Sequence, residues 1–221
     1  MPQFRNSPQE ENHENGNTNS YENQKGYSLV ELSVALSIVA VVIVAGLMGA
    51  RQVMLSNTIN NQIRESNQTI AKLRKAMANQ TSTVGLDNDV ARKLGVWPND
   101  RDSCQTRVEQ GVPTTTCRNR AMFNGAFEFA FTNADAISGL GVNTGVIYVL
   151  YNIPSQACTD LVNGLNGAAL ALYAGPSGTE PTTGKVSADA VAVKAGGASN
   201  ISLAELAKGC ESTKEIGRAH V

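Results

Sequence analysis

The feature that most constrains this chain is an uncharged, apolar stretch near its N-terminus. Between Leu32 and Ala50 there is no charged residue, and most positions are Val, Ile, Leu or Ala. An uncharged run of about 18 or more residues is long enough to cross the hydrocarbon core of a bilayer as a helix. Val and Ile favour helix poorly in water, but in lipid every backbone group must bond within its own segment. The stretch therefore predicts a helix that contacts lipid or other apolar helices.

One acid, Glu31, directly precedes this run. A carboxylate within a membrane helix costs about 2.5–3.5 kcal/mol on insertion scales, so such a residue indicates a functional site. Glu31 lies four residues after Tyr27, which is about one helical turn. If the bond after Gly26 were cut, Tyr27 would carry a cationic α-amino group. The acid could then pair with that amine, in its own chain or in a neighbouring one.

The order of these residues resembles the class III leader of type IV prepilins. Lys25-Gly26 stands at the cleavage position, an apolar helix follows, and Glu31 is the fifth residue after the cut. The resemblance implies that a prepilin peptidase cuts between Gly26 and Tyr27 and N-methylates Tyr27. Tyr27 departs from the commoner Phe or Met, and the leader of 26 residues is similar to those of the type IVb branch, where the first mature residue varies more.

The leader itself is rich in Asn, Gln, Glu and Ser and has few apolar residues. Such a composition cannot bury enough surface to offset the entropy of ordering, so we expect disorder there. In an ordinary secretory signal the small-residue cleavage site follows the apolar region. Here Gly26 precedes the apolar run, so cleavage would keep the helix in the mature protein.

Beyond Arg51 an apolar stripe continues on an otherwise polar segment. Apolar residues recur at helical spacing at Ile59, Ile63, Ile70, Leu73 and Met77. Because no proline interrupts residues 27–80, we predict one continuous helix whose second half packs on a globular head. The predicted domains are a leader (1–26), a membrane or filament-core half-helix (27–50), an amphipathic half-helix (51–80), a head (81–214) and a non-native tail (215–221).

The head is predicted to be an antiparallel sheet, which with the long helix makes an α+β fold of the type IV pilin kind. Residues 81–122 are interpreted as mostly loop, with Trp97 as a core residue at its junction with the helix. Alternating or continuous apolar patterns predict strands at 126–132, 144–151 (a central strand), 168–173 and 186–193. Short helices are predicted from Cys158, ending at Gly164, and over 201–208, ending at Gly209.

All four cysteines follow the apolar run, and an even number of cysteines on an exported domain indicates disulfides. Four cysteines allow three connectivities, and four free thiols are the less favoured alternative. In pilins a disulfide near the C-terminus bounds a variable surface region. The resemblance therefore implies Cys158–Cys210, which leaves Cys104–Cys117.

The composition favours no enzyme, cofactor or nucleic-acid partner. The formal net charge is −1, which predicts neither nucleic-acid nor acidic-substrate binding. His13 lies in the leader and His220 in the predicted non-native tail, so the head has no histidine for Ser-His or Cys-His catalysis. No cysteine pair has zinc-ligand spacing, so we expect no metal site. Residues 216–221 resemble the translation of a sequencing adapter, and a frayed polar tail is the alternative.

The resemblance implies a structural subunit that waits in the bacterial inner membrane and then polymerises into an extracellular pilus (fimbrium) for adhesion or cell–cell contact. Its implied partners are other copies of the chain, the prepilin peptidase and the pilus assembly machinery, with Glu31 needed for assembly. A minor pilin or tip adhesin remains an alternative. A signal-anchored binding module that does not polymerise is the alternative from another class. A secretion pseudopilin is less favoured, because such proteins usually have short leaders and lack this cysteine pattern.

Overall fold

A computed structural model of the protein describes residues 28–109, 112–136, 140–176, 180–211 and 219–220. The chain divides into two compact units, Met1–Met48 and Gly49–Val221. The leader and its predicted processing residues, Lys25, Gly26 and Tyr27, lie outside the described residues.

The first described element is a single long helix, α1, which runs over Leu29–Met77. The continuous helix predicted for 27–80 is confirmed from Leu29 onward, and it ends three residues earlier than predicted, at Met77. In the first unit all the described side chains, from Ser28 to Met48, are exposed. In the second unit the stripe becomes buried, with Ile59, Ile70 and Leu73 in the core of the head.

In the part of the chain that the structure describes, seven strands form one antiparallel sheet, which confirms the α+β class. The strands are β1 (Asp102–Glu109), β2 (Val112–Arg120), β3 (Phe127–Thr132), β4 (Val146–Tyr151), β5 (Ala171–Ala174), β6 (Val191–Lys194) and β7 (Ala219–His220). Their order in the sheet is β1-β2-β3-β4-β7-β5-β6, with β4 at the centre as predicted. The predicted strand at 186–193 is shorter than expected and begins at Val191.

The two central strands are buried on both faces, which makes them the frame of the head. One face of β3 and β4 contributes Ala130, Tyr148 and Leu150 to the core that includes the α1 residues. The opposite face forms a second apolar cluster of Phe129, Phe131, Ile147 and Val149. Since each face meets its own apolar layer, both alternating sets of side chains are withdrawn from water.

The interpretation of residues 81–122 as mostly loop is wrong for its second half. Strands β1 and β2 form a hairpin in which Cys104 pairs directly with Cys117. Thr106 and Thr115 share a hydrogen bond of 2.9 Å across it. Only Asn119 and Arg120 pair with β3, so most of the hairpin has exposed side chains and lacks the alternation that predicts a strand. Earlier in this region, α2 spans Asn88–Lys93 and Trp97 is buried in the core.

Two glycines predicted to end helices lie inside them instead. Helix α3 spans Cys158–Leu165 and α4 spans Leu203–Glu211, so Gly164 and Gly209 are both helical. A β-carbon on Gly164 would lie 2.5–2.7 Å from side-chain atoms of Ile63 on α1. Glycine is needed there for close packing of two helices rather than for a helix stop.

The cysteines form two bridges, Cys104–Cys117 and Cys158–Cys210, and these are the pairs that the family resemblance implies. The first links the two strands of the exposed hairpin. The second joins the start of α3 to α4, and Cys158 is fully buried in the core. Each bridge thus links two elements of the head covalently, β1 with β2 and α3 with α4.

Removing the second bridge is expected to cost more stability than removing the first. The bridged residues are separated by 52 positions in one case and 13 in the other, and a longer closed loop constrains the unfolded chain more. The chain-entropy model gives about 4 and about 3 kcal/mol respectively. In chemical denaturation of the full chain in detergent, the free energy of unfolding should therefore be lower for Cys158→Ala/Cys210→Ala than for Cys104→Ala/Cys117→Ala. The reverse ranking would contradict this assignment of the bridges.

The last described residues also belong to the sheet. Strand β7 lies between β4 and β5 and pairs with Ile147–Tyr148 on one side and Ala171–Leu172 on the other. A frayed tail was one of the two expectations for this segment, and for Ala219–His220 it is wrong. The non-native origin of residues 215–221 stays a prediction.

Candidate functional site

The N-terminus of α1 is built around Ser28 and Glu31. The Ser28 hydroxyl accepts a hydrogen bond from the Val30 backbone N–H at 3.3 Å, and so caps one of the free donors of the helix. Glu31 lies in the first turn, where the positive end of the helix dipole favours an acid. The Ser-x-x-Glu spacing is also that of a capping box. Glu31 can therefore support the start of the helix, and it can also attract an external cation.

Glu31 has no ion-pair partner among the described residues, and its side chain is exposed. Tyr27, whose amine is its predicted partner, lies outside the described residues. The structure therefore does not bring the predicted processing and assembly residues together, and their roles stay predictions.

The rest of this helix half presents apolar side chains that no other described residue covers. Its large residues from Leu29 to Met48 are all at least half exposed. By length and composition α1 is able to cross a membrane. In its most apolar 18-residue stretch no residue is buried. The hydroxyls of Ser33 and Ser37 bond to backbone carbonyls one turn earlier, each at 2.8 Å. These hydroxyls are satisfied within the helix, as a helix in an apolar setting requires.

Residues 22–47 match the prokaryotic N-terminal methylation motif. The matched segment contains Lys25, Gly26, Tyr27 and Glu31, and it extends along α1 as far as Leu47. This match supports a type IV pilin-like precursor. No match to the chain was found among curated proteins.

The long apolar helix followed by an antiparallel sheet is a pilin-like arrangement. The prepilin motif implies processing by a peptidase and assembly into pili. Together with the apolar helix, it is consistent with a membrane-anchored pilin-like precursor that is later assembled into an extracellular pilus. The arrangement is also consistent with a protein that is not an enzyme.

The head of the pilin-like chain contains a buried polar cluster that the sequence analysis missed. We call it the Glu128 cluster; its members are Gln62 and Ser66 of α1, Asn119 of β2, Glu128 of β3 and Tyr148 of β4. All five residues are at most 1% exposed. A signal was present, because Gln62 and Ser66 lie three and seven residues after Ile59 and so fall on the apolar stripe of the helix.

Gln62 joins the helix to two parts of the head. Its Nε2 donates to Glu128 Oε1 at 2.5 Å and to Ser66 Oγ at 3.0 Å. Its Oε1 accepts from the backbone N–H of Met122 at 2.7 Å. Ser66 Oγ is also 3.0 Å from the Tyr148 hydroxyl. The second half of α1 is thereby held to β3, to β4 and to the turn that precedes β3.

A second polar contact lies close to the cluster. Glu65 of α1 forms an ion pair with Arg101 at 2.6 Å, and both side chains are largely withdrawn from solvent. Burial raises the pKa of Glu65 above its ordinary value, while the positive charge of Arg101 acts in the opposite direction. The ion pair fastens the same stretch of α1 to the 3₁₀ turn at Asn99–Arg101.

Among the described residues, no group of three His, Cys, Asp or Glu side chains is placed to hold a metal ion. All four cysteines are in disulfides, so no thiol is available as a nucleophile. The polar groups that the described head gathers in its interior hold elements together. This use differs from that of an open catalytic cleft.

Proposed function

We propose that this chain is the precursor of a type IVb pilus subunit, cut between Gly26 and Tyr27, N-methylated on Tyr27 and polymerised with copies of itself. The observation that supports the proposal is the match to the methylation motif over residues 22–47, a segment that contains Gly26, Tyr27 and Glu31. The filament would serve adhesion or cell–cell contact.

The proposed mechanism uses the exposed half of α1. In the membrane, lipid surrounds these apolar side chains; in the filament, the same half-helices of other copies would replace the lipid. Glu31 of an incoming subunit would meet the α-amino group of Tyr27 in a chain already assembled. Opposite buried charges that pair with good geometry offset the desolvation that either would suffer alone.

Close approach of neighbouring helices is compatible with the shape of this segment. β-Carbons added to Gly46 and Gly49 would meet nothing within 4 Å in the same chain. Small residues on an apolar helix let a second backbone come near. The glycines thus leave room on a surface that the described part of the chain does not cover.

The proposal is tested by shearing filaments from cells that produce the chain and identifying the proteins in that fraction. We expect the chain to be abundant there at the mass of the processed form. Presence in trace amounts would indicate a minor pilin or tip adhesin. Complete retention in the membrane fraction with the leader attached would contradict the proposal and favour a signal-anchored module.

A further inference from the structure

The most unusual group in the head is the carboxyl of Glu128, which is 0% exposed. None of the described ion pairs includes it, and the nearby Arg101 is engaged by Glu65. A charge that is buried without a counter-ion is so costly that the group normally becomes neutral instead. The location of Glu128 therefore favours the protonated acid.

The hydrogen bonds to the carboxyl come from amide N–H groups, which stabilise the ionised form but bring no counter-charge. Gln62 Nε2 donates to Oε1 at 2.5 Å, and Asn119 Nδ2 donates to Oε2 at 3.2 Å. Asn119 Oδ1 is buried and has no hydrogen-bond partner among the described residues. Half a turn of the Asn119 amide would present Oδ1 to Oε2, where only a protonated carboxyl could donate to it. A proton on Glu128 would pair Asn119 Oδ1 in that orientation, and Nδ2 would then occupy the position where Oδ1 has no partner.

We propose that Glu128 is protonated in the folded head, and that its ionisation at or above neutral pH loosens the second half of α1 from the sheet. The carboxyl lies where Gln62 and Ser66 of α1 meet Tyr148 of β4, so a charge there acts on the contact between the helix and the sheet. This inference concerns the head alone and does not depend on whether the chain forms a filament.

The groups that face Glu128 shift its pKa in both directions, and burial has the largest effect. Burial is the main cause that raises its pKa to about 7 from an ordinary 4.5. The hydrogen bond from Gln62 lowers the pKa, the Glu65 carboxylate raises it, and Tyr148 and Trp97 lower it to a smaller extent. On β4, Tyr148 is fully buried and its pKa is raised by burial, so its hydroxyl stays neutral. The guanidinium of Arg101 forms its ion pair with the Glu65 carboxylate, at 2.6 Å.

The sign of the pH effect follows from these values. The folded head binds the Glu128 proton more tightly than the unfolded chain does. Stability from this proton is fully present below about pH 4.5 and is lost as the pH rises through about 7. Ionisation of Glu128 should increase the equilibrium constant for opening of the contact between α1 and the sheet on the order of 100-fold between about pH 5 and about pH 8.

Hydrogen exchange of the full chain in detergent micelles tests this inference. We expect backbone amides of Ile59–Leu73, corrected for the intrinsic pH dependence of exchange, to open increasingly between pH 5 and 8. Glu128→Gln keeps the shape and removes the ionisable group, so its profile should lack this component. Glu205→Gln is the matched control, since Glu205 lies on α4 with 42% of its side chain exposed; it should behave as the wild type does. Equal pH profiles for the wild type and Glu128→Gln would overturn the proposal.

A second measurement covers the case in which Glu128→Gln does not fold. In the wild-type chain with ¹³C-labelled glutamate, the side-chain carboxyl signal of Glu128 should titrate with a midpoint near 7. A midpoint at or below 4.5 would show an ionised buried carboxylate and would overturn the proposal by itself.

Discussion

Cells that produce the Glu31→Ala variant are expected to process the chain normally but to form few or no filaments. In the proposed filament the α-amino group of Tyr27 would be buried without the carboxylate that neutralises it. Removing one partner of a buried ion pair costs about 3–5 kcal/mol, which is about 100- to 4,000-fold in the equilibrium constant for adding a subunit. Electron microscopy and the amount of chain in the sheared fraction measure this loss.

Two further variants separate pairing from helix capping, because Glu31 lies in the first turn of α1. Glu31→Gln retains a side chain able to complete a capping box but removes the charge, so we expect it to assemble as poorly as Glu31→Ala. Ser28→Ala removes the observed cap on Val30 and leaves the charge in place, so filaments should persist. Normal assembly of Glu31→Gln would refute the role proposed for the carboxylate.

The Gly26→Leu variant is expected to accumulate as a precursor that keeps all 26 leader residues. The resemblance to prepilins assigns Gly26 to the position just before the cut, where the peptidase would have to accommodate the four-carbon side chain of leucine. The mature band should disappear on a gel that resolves the two forms, and filaments should disappear with it.

Gly16→Leu makes the same substitution elsewhere in the leader and serves as the control for that experiment. It should be processed like the wild type, because Gly16 is ten residues from the proposed cut. If Gly26→Leu were also processed at the same bond, the assignment of the cleavage site would be wrong.

The long helix and the class of the fold could be predicted because their signals are local and repeated. Nineteen consecutive uncharged residues end at Ala50, and the stripe that begins at Ile59 repeats at helical spacing. The apolar run at β4 likewise predicted a central strand. Each of these patterns shows which side chains of its own segment must be buried.

The hairpin of β1 and β2 was missed because its stability does not come from an apolar face. Its strands contain mostly polar residues, and the register depends on a disulfide between Cys104 and Cys117 and on pairs such as Thr106–Thr115. Such cross-strand pairing is not visible in the sequence of either strand taken separately.

The Glu128 cluster was missed for a different reason. A glutamate between two phenylalanines in an alternating strand normally faces solvent, but here the second face of the sheet also lies in the core. The pairing partners Gln62 and Glu128 are 66 residues apart. Only the tertiary arrangement brings the polar positions on the stripe of α1 opposite the acid.

The proposed processing and assembly depend most on where the mature chain begins. The direct measurement is mass spectrometry of the N-terminal peptide from chain recovered at the cell surface. We predict a peptide that starts at Tyr27 and carries one methyl group on its α-amino nitrogen. Recovery of the exported chain with residues 1–26 still attached would contradict the account.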